Sequence, residues 1–160
     1  MVSEQKRLLE EDPVIVNFDG LCEPKNPGGV ATYGLTIKKE GKTIHQESGL
    51  AEADPWSTDA SNNVAEYSGI IKGLEWLLKH KLNHSPVIIR GDSRLVIHQL
   101  RGTFKVKAPR IVGLYKKSFD LATKFSNIHF EWIERSLNTE ADLLSRIAYA
   151  KYLKESRKPK

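Results

Sequence analysis

Two short apolar runs in this chain each lead to an aspartate, and a long segment of helical periodicity separates them. The first run, Val14–Phe18, is followed by Asp19, and the second, Val87–Ile89, leads through Arg90-Gly91 to Asp92. Because a helical crossover between two strands of one sheet makes them parallel, both strands should end at the same edge. The pattern predicts an α/β fold with two aspartates close together at that edge.

The remaining strands follow from alternation and turn chemistry. Segments 31–39 and 42–50 are joined at Glu40-Gly41, a tight connection that predicts an antiparallel hairpin and, with the first strand, a meander. Alternating apolar residues over 128–133 predict a fifth strand.

Capping residues and apolar spacing place the helices. Ser61-Asn62-Asn63 precedes a helical stripe over 64–78, with Glu66 in the first turn. A short helix over 93–100, closed by Gly102, and a longer one over 109–125 should follow. Asn138 is suited to cap a terminal helix that carries Asp142 in its first turn. We therefore expect a polar extension at 1–13, one folded domain at 14–153 and a basic tail at 154–160.

Composition fits a single folded domain. The chain has 160 residues, of which 39% are hydrophobic and 28% charged, which suffices for one core. No apolar stretch reaches the length of a membrane span and the start lacks the apolar core of a signal peptide, so the expected location is the cytoplasm. The single cysteine, Cys22, excludes an internal disulfide framework and a thiolate zinc cluster, and we interpret it as a small residue in a loop.

Positive charge is concentrated in one part of the chain. Residues 93–119 contain seven Lys and Arg residues and no acid. Such a stretch suits a polyanion such as nucleic acid, although basic runs also occur as ordinary solvated surface.

Four carboxylates stand where predicted elements begin or end: Asp19, Glu66, Asp92 and Asp142. Gathered by folding, they would repel one another and would need either protons or a bound cation. Oxygen ligands favour Mg²⁺ or Mn²⁺, and two such ions support hydrolysis of a phosphodiester. Each acid taken alone could equally cap a helix or a turn.

Four fragments also occur in the order of a known family. They are Asn17-Phe18-Asp19-Gly20, Asn62-Asn63-Val64-Ala65-Glu66-Tyr67, Gly91-Asp92-Ser93 and Asn138-Thr139-Glu140-Ala141-Asp142. Through them the chain resembles ribonuclease H type 1. The resemblance implies a five-stranded mixed sheet of order 3-2-1-4-5, with strands 1 to 3 antiparallel and strands 4 and 5 parallel to strand 1, flanked by helices. It also implies an endonuclease that cuts the RNA strand of an RNA/DNA hybrid, leaving 5′-phosphate and 3′-hydroxyl ends.

The same resemblance assigns roles to the acids. Asp19 would bridge two ions, Glu66 and Asp92 would complete one site, and Asp142 would contribute to the site holding the attacking water. The expected cofactors are two Mg²⁺, with Mn²⁺ as a substitute. The expected partner is an RNA/DNA hybrid, bound by a monomer without an obligate protein partner.

Candidate substrate contacts fall in two groups. Asn26, Ser61 and Asn62 match positions suited to detecting 2′-hydroxyls in the minor groove, although the same residues are good turn and capping chemistry. Three cations could hold the phosphates of a strand: Lys105, Lys107 and Arg110.

The chain departs from the family pattern in two places. Many members carry a histidine in the loop before the last helix, whereas this chain has Arg135 there, which we interpret as an electrostatic substitute or as the partner of Glu131 or Glu134. The basic protrusion is also short, which predicts weaker hybrid binding and leaves activity on double-stranded RNA open. Two other functions stay open: a catalytically silent hybrid-binding module and a DNA-acting nuclease of the same superfamily.

Overall fold

The computed structural model describes residues 12–156, so most of the predicted extension at 1–13 and the last part of the predicted tail lie outside the described residues. Within that range the chain forms five strands, β1 (Val14–Glu23), β2 (Val30–Lys39), β3 (Lys42–Leu50), β4 (Val87–Gly91) and β5 (Ile128–Trp132). The helices in the same range are α1 (Asn62–Lys79), α2 (Arg94–Leu100), α3 (Pro109–Ala122) and α4 (Thr139–Ser156), with a 3₁₀ turn at Arg135–Leu137.

The sheet has the order β3-β2-β1-β4-β5. β1 pairs antiparallel with β2 and parallel with β4, while β3 is antiparallel to β2 and β5 parallel to β4. Between β2 and β3, Glu40 and Gly41 have φ values of 52° and 76°, the left-handed conformations that a two-residue hairpin turn requires. The predicted fold class and strand order are confirmed.

The main core lies between the sheet and α1. Alternate residues of β1 are fully buried, and Val16 and Phe18 pack against Gly73 and Gly69 of α1. Each large apolar side chain buried in this way stabilises the fold by about 1.5–3 kcal/mol. This packing holds α1 across β1 and β2, and thereby fixes where its first turns lie.

The opposite face of the sheet is covered by α4 through small and polar residues. Gly34 of β2 has no room for a side chain, because a Cβ there would lie 2.5 Å from the backbone nitrogen of Ser145. Thr32 is fully buried and donates a hydrogen bond of 2.9 Å to the carbonyl oxygen of Ser145. The close approach of α4 to the sheet brings its first turn to the edge where β4 ends.

Several predicted boundaries are wrong. β1 does not finish at Asp19 but continues to Glu23, because residues 20–23 pair with 30–33 of β2. Cys22 is therefore a buried strand residue and not a loop residue. α1 begins at Asn62, which places Glu66 in its second turn.

Two helix ends also differ from prediction. α3 ends at Ala122 and not at residue 125, since the chain turns there to bring the buried Phe125 onto the core. α4 continues to Ser156, past the predicted boundary at residue 153. Across residues 12–156, no helix combines the length and the apolar character that a membrane span requires.

Candidate active site

Two acids come from neighbouring parallel strands. Asn17 of β1 is paired with Arg90 of β4, so Asp19 and Asp92 each follow a paired position by two residues. Asp19 is buried, with 7% of its surface exposed, and Asp92 is half-buried directly after the end of β4. β4 stops here while β1 continues against β2, which leaves the two carboxylates at the end of β4.

The third acid, Glu66 on α1, lies close to β1 because β1 has a glycine, Gly20, where the two elements touch. A Cβ on Gly20 would lie 2.5 Å from the backbone nitrogen of Glu66 and 2.7 Å from the carbonyl carbon of Ala65. Without that atom, the second turn of α1 packs directly on β1. One carboxylate oxygen from each of Asp19, Glu66 and Asp92 then lies within 4.8 Å of the others.

The fourth acid stands at the margin of this cluster. Asp142, in the first turn of α4, lies close enough to Asp19 to raise the pKa of that carboxyl. Its Oδ2 atom also accepts a hydrogen bond of 3.2 Å from Nε of Arg146, one turn further along the helix. Asp142 therefore extends the cluster from the side of Asp19.

The cluster shifts the protonation of its buried members. Burial, then the charge of Asp92 and the contact with Asp142, raise the pKa of Asp19 from an ordinary 3.8 to about 8. Burial, then the charges of Asp19 and Asp92, raise the pKa of Glu66 well above its usual range. Both shifts mean that the ionised forms of Asp19 and Glu66 are destabilised in the folded chain. A bound cation would offset this destabilisation.

The site fits a hard divalent cation. Its donors are all carboxylate oxygens, which Mg²⁺ and Mn²⁺ prefer. Glu66 Oε2 is buried and has no hydrogen-bond partner among the described residues. A buried acceptor without a partner costs about 1–3 kcal/mol or more when charged, so this oxygen is suited to a metal.

The charge of Arg135 acts on the same site. Arg135 lies on the exposed 3₁₀ turn before α4, and its charge lowers the pKa of Glu66, against the effect of the neighbouring acids. Glu131, which the sequence offers as an ion-pair partner for Arg135, instead pairs with Arg90 at 3.3 Å. The 3₁₀ turn therefore brings a cation to the acidic cluster.

The side chain of Asn138 does not cap α4, as the sequence predicts it should, but bonds to β1 and to Asp92. Only its backbone carbonyl serves the helix, accepting from the nitrogen of Asp142 at 3.1 Å. The buried amide donates to the carbonyl of Phe18 at 2.8 Å and to Oδ2 of Asp92 at 3.3 Å. An asparagine before a helix is so typical of a cap that the sequence carries no signal for this second connection.

The candidate groove-reading residues lie together at the start of α1. Asn26 Oδ1 accepts a hydrogen bond of 3.0 Å from the backbone nitrogen of Asn62, and both residues are exposed. The hydroxyl of Ser61 is buried and accepts from the nitrogen of Val64 at 3.2 Å. Ser61 is thus the N-cap of α1, while Asn26 and Asn62 beside it present polar groups to solvent.

The candidate phosphate contacts lie around the connection between α2 and α3. Lys105 and Lys107 are exposed there, and Phe104 packs its ring 4.7 Å from that of His98 while staying 48% exposed. Arg110, on the first turn of α3, donates to the carbonyl of Thr58 at 2.8 Å. A groove of about 420 Å³ runs between this connection and α3, with Tyr115 and Lys116 on its helical wall.

A five-stranded sheet of this order, with acids from β1, α1, the end of β4 and α4 meeting at one site, defines the ribonuclease H-like class of proteins. A family described as reverse transcriptase-like matches residues 17–148. Together with the similarities below, this shows that the chain belongs to the ribonuclease H type 1 family, as its motifs indicate.

Curated relatives support the assignment. The chain is 38% identical over 135 residues to the bifunctional protein Rv2228c of Mycobacterium tuberculosis, a match that covers 84% of this chain and 35% of that protein. It is 29% identical over 131 residues to ribonuclease HI of Halobacterium salinarum, covering 82% of this chain and 61% of that protein. The chain therefore spans about a third of the length of its mycobacterial relatives.

Solved structures agree closely with the fold. The N-terminal RNase H domain of Rv2228c from M. tuberculosis, solved as a fusion with maltose-binding protein, has a TM-score of 0.78 and 31% identity, covering 91% of this chain and 99% of that one. LC11-RNase H1 in complex with an RNA/DNA hybrid has a TM-score of 0.77 and 33% identity, covering 88% and 99%. That enzyme was isolated from compost by a metagenomic approach.

Proposed function

We propose that this protein is an endoribonuclease that hydrolyses the RNA strand of RNA/DNA hybrids. The observation that carries the proposal is the convergence of Asp19, Glu66 and Asp92 within 4.8 Å, with Asp142 beside them, in a ribonuclease H type 1 fold. Support for the substrate comes from LC11-RNase H1, a relative at 33% identity solved with an RNA/DNA hybrid.

Two Mg²⁺ ions, with Mn²⁺ as a substitute, are the proposed cofactors, held by the four carboxylates. When bound, they would activate a water molecule and stabilise the departing oxygen. The chain's part is to hold Asp19 and Glu66 together despite the burial that raises both of their pKa values. The repulsion stored in the metal-free cluster makes divalent cation binding favourable.

The reaction is an in-line displacement at phosphorus. Water adds to the phosphorus of the RNA strand as the bond to the 3′-oxygen breaks, and that oxygen leaves with a proton as a hydroxyl. The phosphate stays on the 5′ end of the downstream fragment. Arg135 keeps its charge at neutral pH, so its proposed part is attraction of the scissile phosphate and of the product, without proton transfer.

Recognition of the hybrid is proposed to use two surfaces. Asn26 and Asn62 present amide and backbone groups able to bond 2′-hydroxyls, which distinguish RNA from DNA in the minor groove. Ser61 supports them as the cap of α1. Lys105, Lys107 and Arg110 would neutralise phosphates of a strand, with an affinity that falls as salt rises.

The deciding experiment is a cleavage assay with Mg²⁺ on four labelled substrates: RNA/DNA hybrid, double-stranded RNA, single-stranded RNA and duplex DNA. We expect cleavage of the RNA strand of the hybrid, lost in Asp92→Asn and retained in Asp120→Asn, a matched change at an exposed acid of α3. End analysis should find 5′-phosphate and 3′-hydroxyl groups.

The other outcomes separate the alternatives. Tight binding of the hybrid without cleavage would make the protein a silent hybrid-binding module. Cutting of duplex DNA would make it a DNA-acting nuclease of the superfamily. Cleavage of double-stranded RNA beside the hybrid would add a second substrate and keep the proposed chemistry.

A further inference from the structure

The buried amide of Asn138 connects three parts of the molecule. Its nitrogen donates to the carbonyl of Phe18 in β1 at 2.8 Å and to Oδ2 of Asp92, after β4, at 3.3 Å. Its oxygen accepts from Nδ2 of Asn17, the residue before Phe18, at 3.1 Å. Only 1% of Asn138 is exposed, so its side chain has no access to a bound nucleic acid.

The polarity of these neighbours fixes the orientation of the amide. A carbonyl and a carboxylate can only accept, so both N–H groups of Asn138 must face Phe18 and Asp92. The donor from Asn17 on the other side holds the amide oxygen in place. All hydrogen-bonding atoms of the amide are thereby used, and a flipped amide would set oxygen against oxygen.

Asp92 is held at two points by different residues. Nε1 of Trp132 donates to its backbone carbonyl at 3.1 Å, which fixes the chain after β4. Asn138 instead reaches the carboxylate itself. Rotation of that carboxylate about its side-chain bonds is therefore limited by Asn138, not by Trp132.

We propose that Asn138 is a positioning residue, which orients the carboxylate of Asp92 for cation binding and docks the start of α4, with Asp142, against β1 and β4. The inference rests on the proposed metal-dependent function. On this view, the uncharged side chain of Asn138 links Asp92, after β4, to the helix that carries Asp142. Partners of this kind, which orient a metal ligand without touching the metal, typically change metal affinity or activity by about 10–100-fold when removed.

The test measures Mn²⁺ affinity by electron paramagnetic resonance, together with kcat and KM on an RNA/DNA hybrid. In Asn138→Ala we expect Mn²⁺ affinity and kcat each to fall by about tenfold or more. KM for the hybrid should stay at the wild-type value because Asn138 is buried. Raising the Mn²⁺ concentration should restore part of the missing activity.

Thr32→Val is the matched control, since it removes a buried hydrogen bond between α4 and the sheet, whereas Asn138→Ala removes the three described above. Thr32→Val should lower thermal stability while leaving Mn²⁺ affinity and kcat unchanged. Equal losses of Mn²⁺ affinity in both variants, or none in Asn138→Ala, would overturn the positioning role. If wild type itself binds no Mn²⁺, the proposed function fails first.

A second variant decides the matter if Asn138→Ala does not fold. Asn17→Ala removes only the donor that holds the amide oxygen, and its side chain is half-buried. We expect about a threefold loss of Mn²⁺ affinity, at the lower end of one hydrogen bond's contribution. Unchanged affinity in this folded variant would overturn the inference.

Discussion

The side-chain oxygen of Asn26 accepts a hydrogen bond of 3.0 Å from the backbone N–H of Asn62. Asn26 lies in the connection between β1 and β2, and Asn62 is the first residue of α1. The bond satisfies one of the N–H groups that every helix leaves unpaired at its start. Within residues 12–156 the amide nitrogen of Asn26 makes no hydrogen bond, so it can donate to a substrate.

Replacing Asn26 separates these two uses of its side chain. In Asn26→Ala we expect a lower melting temperature and a KM for the hybrid raised by about tenfold, since the cap and a substrate donor are both removed. Steady-state kinetics and thermal unfolding measure the two effects independently.

Asn26→Asp is the control, because it keeps the acceptor for Asn62 and removes only the donor. We expect near wild-type stability and a raised KM that persists at high salt, where repulsion from the new charge is screened. A KM that rises only in Asn26→Ala would assign the whole effect to the helix cap.

Removal of Arg135 should act on the chemical step. In Arg135→Ala we expect kcat to fall by about tenfold, and the pH at which activity is half-maximal to rise, because the charge that lowers the pKa of Glu66 is gone. Arg135→Lys should keep most of the activity if the role is electrostatic. Lys124→Ala, an equal loss of charge at an exposed site, should behave as wild type. Ordinary kinetics in Arg135→Ala would leave the arginine without a role.

Local patterns predict the meander of β1 to β3, a β4 that is parallel to β1, and the meeting of Asp19 and Asp92. The full order, with β5 beside β4, is implied only by the resemblance to ribonuclease H type 1. A helix of eighteen residues between two apolar runs forces a crossover, and the crossover makes β1 and β4 parallel. Once Asp19 and Asp92 follow neighbouring strands, their proximity needs no further information. The tight turn at Glu40-Gly41 fixes β2 and β3 in the same way.

The features that sequence patterns do not predict depend on contacts between distant segments. β1 extends past Asp19 because residues 20–23 pair with β2. The composition of residues 20–23 does not predict this pairing. The amide of Asn138 reaches Asp92 only after α4 has packed on the sheet. Its local signal is that of a helix cap, so the pattern alone indicates the wrong partner.

Adding a side chain at Gly20 should lower both the stability of the fold and the affinity of the acidic site for cations. A Cβ in Gly20→Ala would lie 2.5 Å from the backbone nitrogen of Glu66, so α1 must shift away from β1. We expect a loss of about 1–3 kcal/mol in the free energy of unfolding and weaker Mn²⁺ binding. Urea unfolding and Mn²⁺ titration measure the two.

Gly113→Ala, on helix α3, is the matched control, since a Cβ there would meet no atom of residues 12–156 within 4 Å outside the adjoining helix backbone. It should stabilise the protein by about 0.5–1 kcal/mol, because alanine loses less conformational entropy than glycine in a helix. Unaltered stability and Mn²⁺ binding in Gly20→Ala would contradict the close approach of α1 to β1.

The basic connection between α2 and α3 should reveal itself in salt dependence. For Lys105→Ala with Lys107→Ala, we expect weaker hybrid binding, and a slope of log affinity against log salt that is shallower by about one for each phosphate left without its lysine. Arg110→Ala should additionally lower stability, because Arg110 also holds the carbonyl of Thr58. Fluorescence anisotropy at several salt concentrations measures the slope, and an unchanged slope would place these lysines outside the interface.

The raised pKa of Asp19 gives the metal-free protein a pH dependence of definite sign. Between an unfolded pKa of 3.8 and a folded pKa of about 8, the folded chain keeps a proton that the unfolded chain releases. The free energy of unfolding contributed by this group is therefore fully present below pH 3.8 and falls as pH rises toward 8, by at most about 1.4 kcal/mol per pH unit.

An asparagine at position 19 does not titrate, so the free energy of unfolding of Asp19→Asn lacks the decrease with rising pH that Asp19 causes. In urea unfolding with a chelator, we expect its stability relative to wild type to grow steadily from about pH 5 to about pH 8. Added Mg²⁺ should raise the stability of wild type at the upper end of that range and have little effect on Asp19→Asn, because the cation offsets a repulsion that the variant has already reduced. A stability difference that stays constant across that pH range would show that Asp19 ionises normally in the folded protein, and that the acids lie further apart than their packing implies.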